Sequence, residues 1–128
     1  MPLPGTTWFG VNVDAPDPLA LAQFYQRLLG WQLFGDGPDD YSLAPSETAG
    51  YNLGIQRERD HVRPVWPAKP GDQQMQIHLD IEVDDVEQAV AYAIEAGAVQ
   101  AEFQPQPNVR VMLDPAGHPV CLYRNEDD

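Results

Sequence analysis

The chain contains one segment pattern twice. In the first copy, Val11-Asn12-Val13-Asp14 is followed by a helical segment that begins after Asp17 and stops at Gly30. In the second copy, an alternating segment is followed by a helical segment that begins after Asp85 and stops at Gly97. A repeated unit of this size cannot bury its apolar face alone. The repetition therefore predicts two half-modules that share one sheet or one cavity.

Each copy opens with a predicted strand, over residues 8–14 and 76–83, in which apolar and polar side chains alternate. Alternation with a period of two places the apolar set on the core face of a sheet. The opposite face then carries the other set, which we expect to line a cavity: Gly10, Asn12, Asp14, His78, Asp80 and Glu82.

Local signals define the two helices and the remaining strands. Asp17 and Asp85 are typical N-cap residues, and Gly30 and Gly97 suit the left-handed position after a helix. Further short strands are predicted at 31–34, 41–44, 53–57, 99–103, 109–113 and 120–124. The order β-α-β-β-β thus occurs twice. We expect one α+β domain over residues 1–128, with module one at about 6–58, a proline-rich connector at 59–74, and module two at about 75–124.

Composition excludes several classes of partner. The 128 residues carry a net charge of -13 with only seven Lys and Arg, which disfavours nucleic acid and anionic membranes. No apolar run approaches the roughly 20 residues that span a bilayer, and the N-terminus has no signal-peptide pattern. We therefore expect a cytoplasmic protein. The single cysteine, Cys121, excludes an intramolecular disulfide and a cysteine-based zinc cage.

Three segments carry a resemblance to a known superfamily. Residues 17–31 resemble the first-helix signature of the vicinal oxygen chelate superfamily, which includes glyoxalase, bleomycin-resistance and extradiol-dioxygenase-like proteins. Residues 78–85 resemble the start of its second module, and residues 114–122 resemble its closing hairpin. The likeness is closest to the small glyoxalase-like domain proteins. It implies two tandem βαβββ modules with curved sheets around a cavity, and a homodimer.

The resemblance also implies where a divalent metal would bind. Metal-dependent members use His or Glu side chains from four strands, and these positions fall here on Gly10, His78, Cys121 and, nearest for the fourth, Gln56. His78 alone is a competent ligand of the usual kind, and it is also the best catalytic candidate. A divalent metal is thus possible, but no cofactor is expected.

A metal site could also be rebuilt around His78 with Asp14, Asp80 or Glu82. Residues two apart on one strand lie about 7 Å apart, given a rise of roughly 3.3 Å per residue. We therefore expect neighbours on a single strand to converge poorly on one ion.

Two classes of function remain open from the sequence. The first is a metal-free small-molecule-binding protein that sequesters a drug-like or cationic natural product, because acidic walls and aromatic rings favour a cationic guest. The second is a metal-dependent lyase, isomerase or dioxygenase with an atypical ligand set around His78, or an acid/base isomerase that uses His78. A dimeric module with an unknown partner is a third possibility.

The predicted lining residues for a small-molecule ligand come from both modules and the connector. Trp66 in the connector either packs this segment against the rest of the domain or forms a lid over the ligand cavity. The full predicted set is Asn12, Trp66, His78, Asp80, Glu82, Cys121 and Tyr123.

Overall fold

The computed structural model describes residues 3–125. The chain divides into two compact units with the boundary between His61 and Val62, which lies inside the predicted connector. Each unit contains one βαβββ module, so the predicted α+β fold of two such modules is confirmed. No helix within residues 3–125 is long and apolar enough to cross a membrane.

Module one consists of one helix and a four-stranded mixed sheet. The elements are β1 (Phe9–Ala15), α1 (Pro18–Leu29), β2 (Gln32–Phe34), β3 (Asp40–Ala44) and β4 (Tyr51–Arg57). The sheet order is β1-β4-β3-β2, and only the β1–β4 pair is parallel.

Module two repeats this topology. The elements are β5 (Leu79–Glu82), α2 (Val86–Ala96), β6 (Val99–Gln100), β7 (Val109–Leu113) and β8 (Pro119–Tyr123). The sheet order is β5-β8-β7-β6, with β5 and β8 parallel and the other pairs antiparallel.

Helix α1 covers one face of the module-one sheet. The Asp17 side chain accepts a hydrogen bond from the backbone N–H of Ala20, and Gly30 ends the helix at φ 70°. Leu21, Phe24 and Tyr25 are completely buried, and the helix contacts all four strands. Within residues 3–125 each module has one helix, which packs on one face of its sheet, and we call the other face the open face.

Helix α2 packs less deeply in module two. Asp85 caps it by accepting from the backbone N–H of Gln88, as predicted, but only Ala93 and Ala96 are fully buried. Ile94 is 50% exposed although it is apolar and adjacent to the buried Ala93. It lies about 100° around the helix from Ala93, because 3.6 residues complete one turn.

Two predicted strands of module two are shorter than expected. Residues 76–78 do not join β5, because Gln76 adopts a left-handed backbone with φ 66°. Strand β6 ends at Gln100 rather than at residue 103. Beyond it, the Gln104 carboxamide takes over the pairing with β7. Its oxygen accepts from the Val111 N–H at 2.8 Å, and its nitrogen donates to the Val111 carbonyl at 3.0 Å.

We predict that Gln104→Ala lowers the free energy of unfolding by about 1–3 kcal/mol, because it leaves the N–H of a buried residue without its acceptor. Val111 is 3% exposed, so water cannot fully replace the bond. Urea denaturation measures the loss. Gln106→Ala, at an exposed position on the same segment, is the control. Equal unfolding midpoints for the two variants would contradict the assignment.

Candidate functional site

Two reciprocal pairs of glycine and asparagine occupy the open face of module one. In the β1–β4 ladder, Gly10 lies opposite Asn52, and Asn12 lies opposite Gly54. A Cβ on Gly10 would clash with the Asn52 side-chain oxygen, and a Cβ on Gly54 would clash with the Asn12 side-chain oxygen. Each amide can therefore occupy its place only because its neighbour has no side chain.

Asn52 connects Trp8 to the sheet. The Trp8 indole Nε1–H donates to Asn52 Oδ1 at 2.7 Å, and Asn52 Nδ2 donates to Ser42 Oγ at 2.7 Å. The hydrogen bonds of the amide thus fix both its orientation and the position of the indole. We call this chain of contacts the Trp8–Asn52–Ser42 relay.

A cavity of about 420 Å³ adjoins the relay. This volume lies within the range of roughly 300–1,000 Å³ that is typical of small-molecule sites. Its lining is mostly apolar and comes entirely from module one: Trp8, Phe34, Ser42, Ala44, Ser46 and Glu47.

A second cluster lies on the open face of module two. Asp80 of β5 is the direct parallel neighbour of Cys121 of β8. His78 Nε2 lies 3.1 Å from Asp80 Oδ1, and potential ligand atoms of all three residues lie within 4.8 Å of one another. The expectation of poor convergence is therefore wrong for His78 and Asp80. His78 lies just before β5 and is not part of the β5–β8 pairing. The regular strand geometry that would keep the side chains of His78 and Asp80 apart therefore does not apply to this pair.

The environment of Cys121 keeps its thiol protonated. Burial raises the pKa of Cys121, and the negative charge of Asp80 and a hydrogen bond to its carboxylate raise the pKa further. The thiolate is the nucleophilic form of cysteine. The structure thus presents Cys121 as a hydrogen-bonded thiol and not as an activated nucleophile.

The other predicted lining residues are distributed over the chain. Glu82 and Tyr123 are direct neighbours in the β5–β8 ladder, on the same face as Asp80 and Cys121. Asn12 lies in module one, across Gly54. The Trp66 indole donates to the Phe103 carbonyl at 3.2 Å, and the two rings are 6.2 Å apart. This contact supports packing of the connector rather than a lid.

Sequence reasoning missed the residues of the module-one cavity. A signal was present, since Gly-Val-Asn at 10–12 is mirrored by Asn-Leu-Gly at 52–54. These mirrored residues predict neighbouring glycine–asparagine pairs only when the two strands are known to be parallel and in this register. The missed residues are Trp8, Phe34, Ser42, Ala44, Ser46, Glu47 and Asn52.

The four metal-ligand positions implied by the superfamily do not all suit a metal in this chain. Gly10 has no side chain, and the Asn52 amide covers it. Gln56 is a neutral, exposed residue paired with Asp14 and Asp40. Module one therefore supplies neither of the two ligands expected from it. These residues do not fit a metal centre that draws ligands from both modules.

We predict that Asp80→Asn shifts the alkylation of Cys121 by iodoacetamide to lower pH. The substitution removes a negative charge that disfavours the thiolate, so the pKa of Cys121 falls and more thiolate is present at any given pH. Alkylation rates across a pH series, with a chelator present, provide the measurement. Glu82→Gln removes a charge from the same strand and serves as the control. Superimposable profiles for wild type and Asp80→Asn would contradict this account.

Comparisons with known proteins agree with the fold. Residues 10–123 match the family model described as "Glyoxalase-like domain". A glyoxalase/bleomycin resistance protein/dioxygenase family enzyme from Burkholderia phytofirmans PsJN is 21% identical, with a TM-score of 0.64 over 90% of this chain and 95% of that chain. A glyoxalase family protein from Enterococcus faecalis is 20% identical, with a TM-score of 0.61 over 97% and 100% of the two chains.

A glyoxalase/bleomycin resistance protein from Albidiferax ferrireducens T118 is similar to the same degree, at 20% identity and a TM-score of 0.61 over 91% and 96% of the two chains. No curated protein sequence matches the chain significantly. The solved structures support the fold alone, whereas the family model covers most of the sequence. The chain therefore belongs to the glyoxalase-like domain family of the vicinal oxygen chelate superfamily.

Proposed function

We propose that this protein binds a small organic molecule with an aromatic or apolar body and a cationic group, and that binding requires no metal. The observation that carries the proposal is the module-one cavity, whose wall includes an indole fixed by the Trp8–Asn52–Ser42 relay. A wall that is already in position loses little conformational freedom when a ligand binds, and this favours affinity.

The cavity offers one apolar and one polar means of recognition. Trp8 and Phe34 present aromatic surface, which binds ring systems by stacking and by burial of apolar area. Ser42 Oγ accepts the bond from Asn52, and a hydroxyl that accepts one bond can still donate its hydrogen. A ligand with an acceptor beside its ring therefore suits the site.

Charge supports the cationic part of the proposal. Among the described residues that line this cavity, Glu47 is the charged one. The whole chain has 20 acidic and seven basic residues, so the surrounding field attracts cations. A cation close to an indole face gains a further cation–π interaction. A drug-like or natural-product cation is thus the ligand class that we propose.

The open face of module two is the other surface proposed for ligand contact. It presents Asp80 and Glu82 as acceptors, with His78, Cys121 and Tyr123 beside them. These side chains also suit a cationic or hydrogen-bonding ligand. We assign the ligand body to module one, because the described cavity lined by aromatic side chains lies there.

We also propose that the protein is a homodimer, as the superfamily resemblance implies. Support comes from Phe9 and Tyr51, which are paired across β1 and β4 yet are 69% and 48% exposed in the single chain. A paired aromatic surface of this kind is typical of interfaces. Sedimentation velocity should give twice the mass of the chain for wild type and a single chain for a Phe9→Ser variant that keeps its fold. A monomeric wild type would refute the dimer.

We predict that Trp8→Ala weakens binding of benzyltrimethylammonium about tenfold, which corresponds to a loss of about 1.4 kcal/mol. The substitution removes an aromatic wall of the cavity. Chelator-treated protein and titration calorimetry provide the measurement, and Trp66→Ala in the connector is the matched control. Glu47→Gln should reduce the preference for benzyltrimethylammonium over the anion phenylacetate.

Three results would contradict the proposal. The first is an affinity that is the same in wild type and Trp8→Ala. The second is binding that appears only after a divalent metal is added. The third is an equal affinity of wild type for the cation and for phenylacetate, which would reject the cationic class while leaving the cavity itself as a binding site.

A further inference from the structure

The His78–Asp80–Cys121 cluster brings three kinds of metal ligand together within module two. Among the described residues 3–125, these three form a group of possible ligands whose atoms, one from each residue, lie within 4.8 Å of one another. They supply an imidazole nitrogen, a carboxylate oxygen and a sulfur. From this arrangement we infer that module two alone binds one thiophilic divalent cation of the Zn²⁺ type.

The distances suit a small tetrahedral ion. Zn²⁺ binds these ligand types at about 2.0–2.3 Å, so tetrahedral ligand atoms lie about 3.3–3.8 Å apart. His78 Nε2 and Asp80 Oδ1 are already 3.1 Å apart, and each of the other pairs lies within 4.8 Å. The largest separation exceeds the tetrahedral range by at most about 1 Å, so changes in side-chain torsion angles are enough to form the site. The β5–β8 ladder itself stays unchanged, because it already holds Asp80 beside Cys121.

The charges of the three ligands match a divalent cation. Metal ligands bind as neutral imidazole, carboxylate and thiolate, which gives a site charge of about −2 that one divalent ion neutralises. In the ion-free protein, Asp80 contacts both other ligands, the imidazole of His78 and the thiol of Cys121. A cation replaces these contacts with coordination bonds and takes up the position between the three side chains.

The donor set determines which ions are favoured. Thiolate and imidazole favour Zn²⁺ and its relatives, whereas Mg²⁺ and Mn²⁺ favour sites made of oxygen ligands. Two of the ligands, His78 and Cys121, stand at positions where the superfamily resemblance implies ligands, but Asp80 does not. All three come from module two, so this site differs in composition and in selectivity from a centre shared between modules.

The site does not depend on the proposed ligand of module one, so its test needs no organic molecule. Untagged full-length protein, reduced and freed of chelator, is titrated with Zn²⁺ against a chromogenic chelator. We expect one Zn²⁺ per chain, with no competition from equal Mg²⁺. Co²⁺ should produce a thiolate-to-cobalt charge-transfer band in the near ultraviolet.

Single substitutions then identify the ligands. His78→Ala, Asp80→Asn and Cys121→Ser should each weaken Zn²⁺ binding more than about tenfold, since even the loss of a supporting hydrogen bond costs roughly 10–100-fold. Glu102→Gln, a charge change at an exposed position of the same module outside the cluster, should leave the affinity unchanged. The cobalt band should be absent from Cys121→Ser.

A readout on wild type alone covers the case in which a variant fails to fold. Cys121 is the only cysteine, so any protection from a thiol reagent is assigned to it without ambiguity. Zn²⁺ should protect this thiol and Mg²⁺ should not. Equal thiol reactivity with and without Zn²⁺, binding well below one ion per chain, or wild-type affinity in the folded ligand variants would each overturn the proposal.

Discussion

Both candidate sites depend on one constraint, the parallel pairing of the first and last strands within each module. Parallel neighbours need a long connection between them, and here it consists of the helix and two further strands. In module one this pairing sets Gly10 beside Asn52, and in module two it sets Asp80 beside Cys121. The residues of each pair are distant in sequence, so each site forms only when the first and last strands of its module have paired.

The duplicated fold supports two different kinds of chemistry. In module one, asparagine amides cover two glycines and orient an indole next to an apolar cavity. In module two, the same open face carries imidazole, carboxylate and thiol groups within reach of one another. Different side chains on the open faces of the two modules thus serve the proposed recognition of an organic cation and the proposed binding of an ion. The fold alone fixes neither function.

Local signals in the sequence were sufficient for much of the fold. The caps at Asp17 and Asp85 and the stop at Gly30 depend on contacts within a few residues, and the structure confirms them. The position of Asp80 on the sheet face opposite the core likewise follows from the alternation of apolar and polar residues in one strand. The early end of β6 could not be predicted in this way, because it depends on a side-chain amide, Gln104, that substitutes for strand pairing. Predicting the module-one cavity requires the register between its strands, and no local sequence pattern contains that information.

The central claim is that module one holds a cationic ligand without a metal, and the indole N–H resonance of Trp8 tests it most directly. In ¹⁵N-labelled, chelator-treated protein, titration with benzyltrimethylammonium should shift this resonance in a saturable manner, because the ligand packs against a ring bonded to Asn52. The assignment is checked by the loss of that signal in Trp8→Phe. An indole resonance that stays fixed throughout the titration, or that moves only after Zn²⁺ is added, would contradict the account.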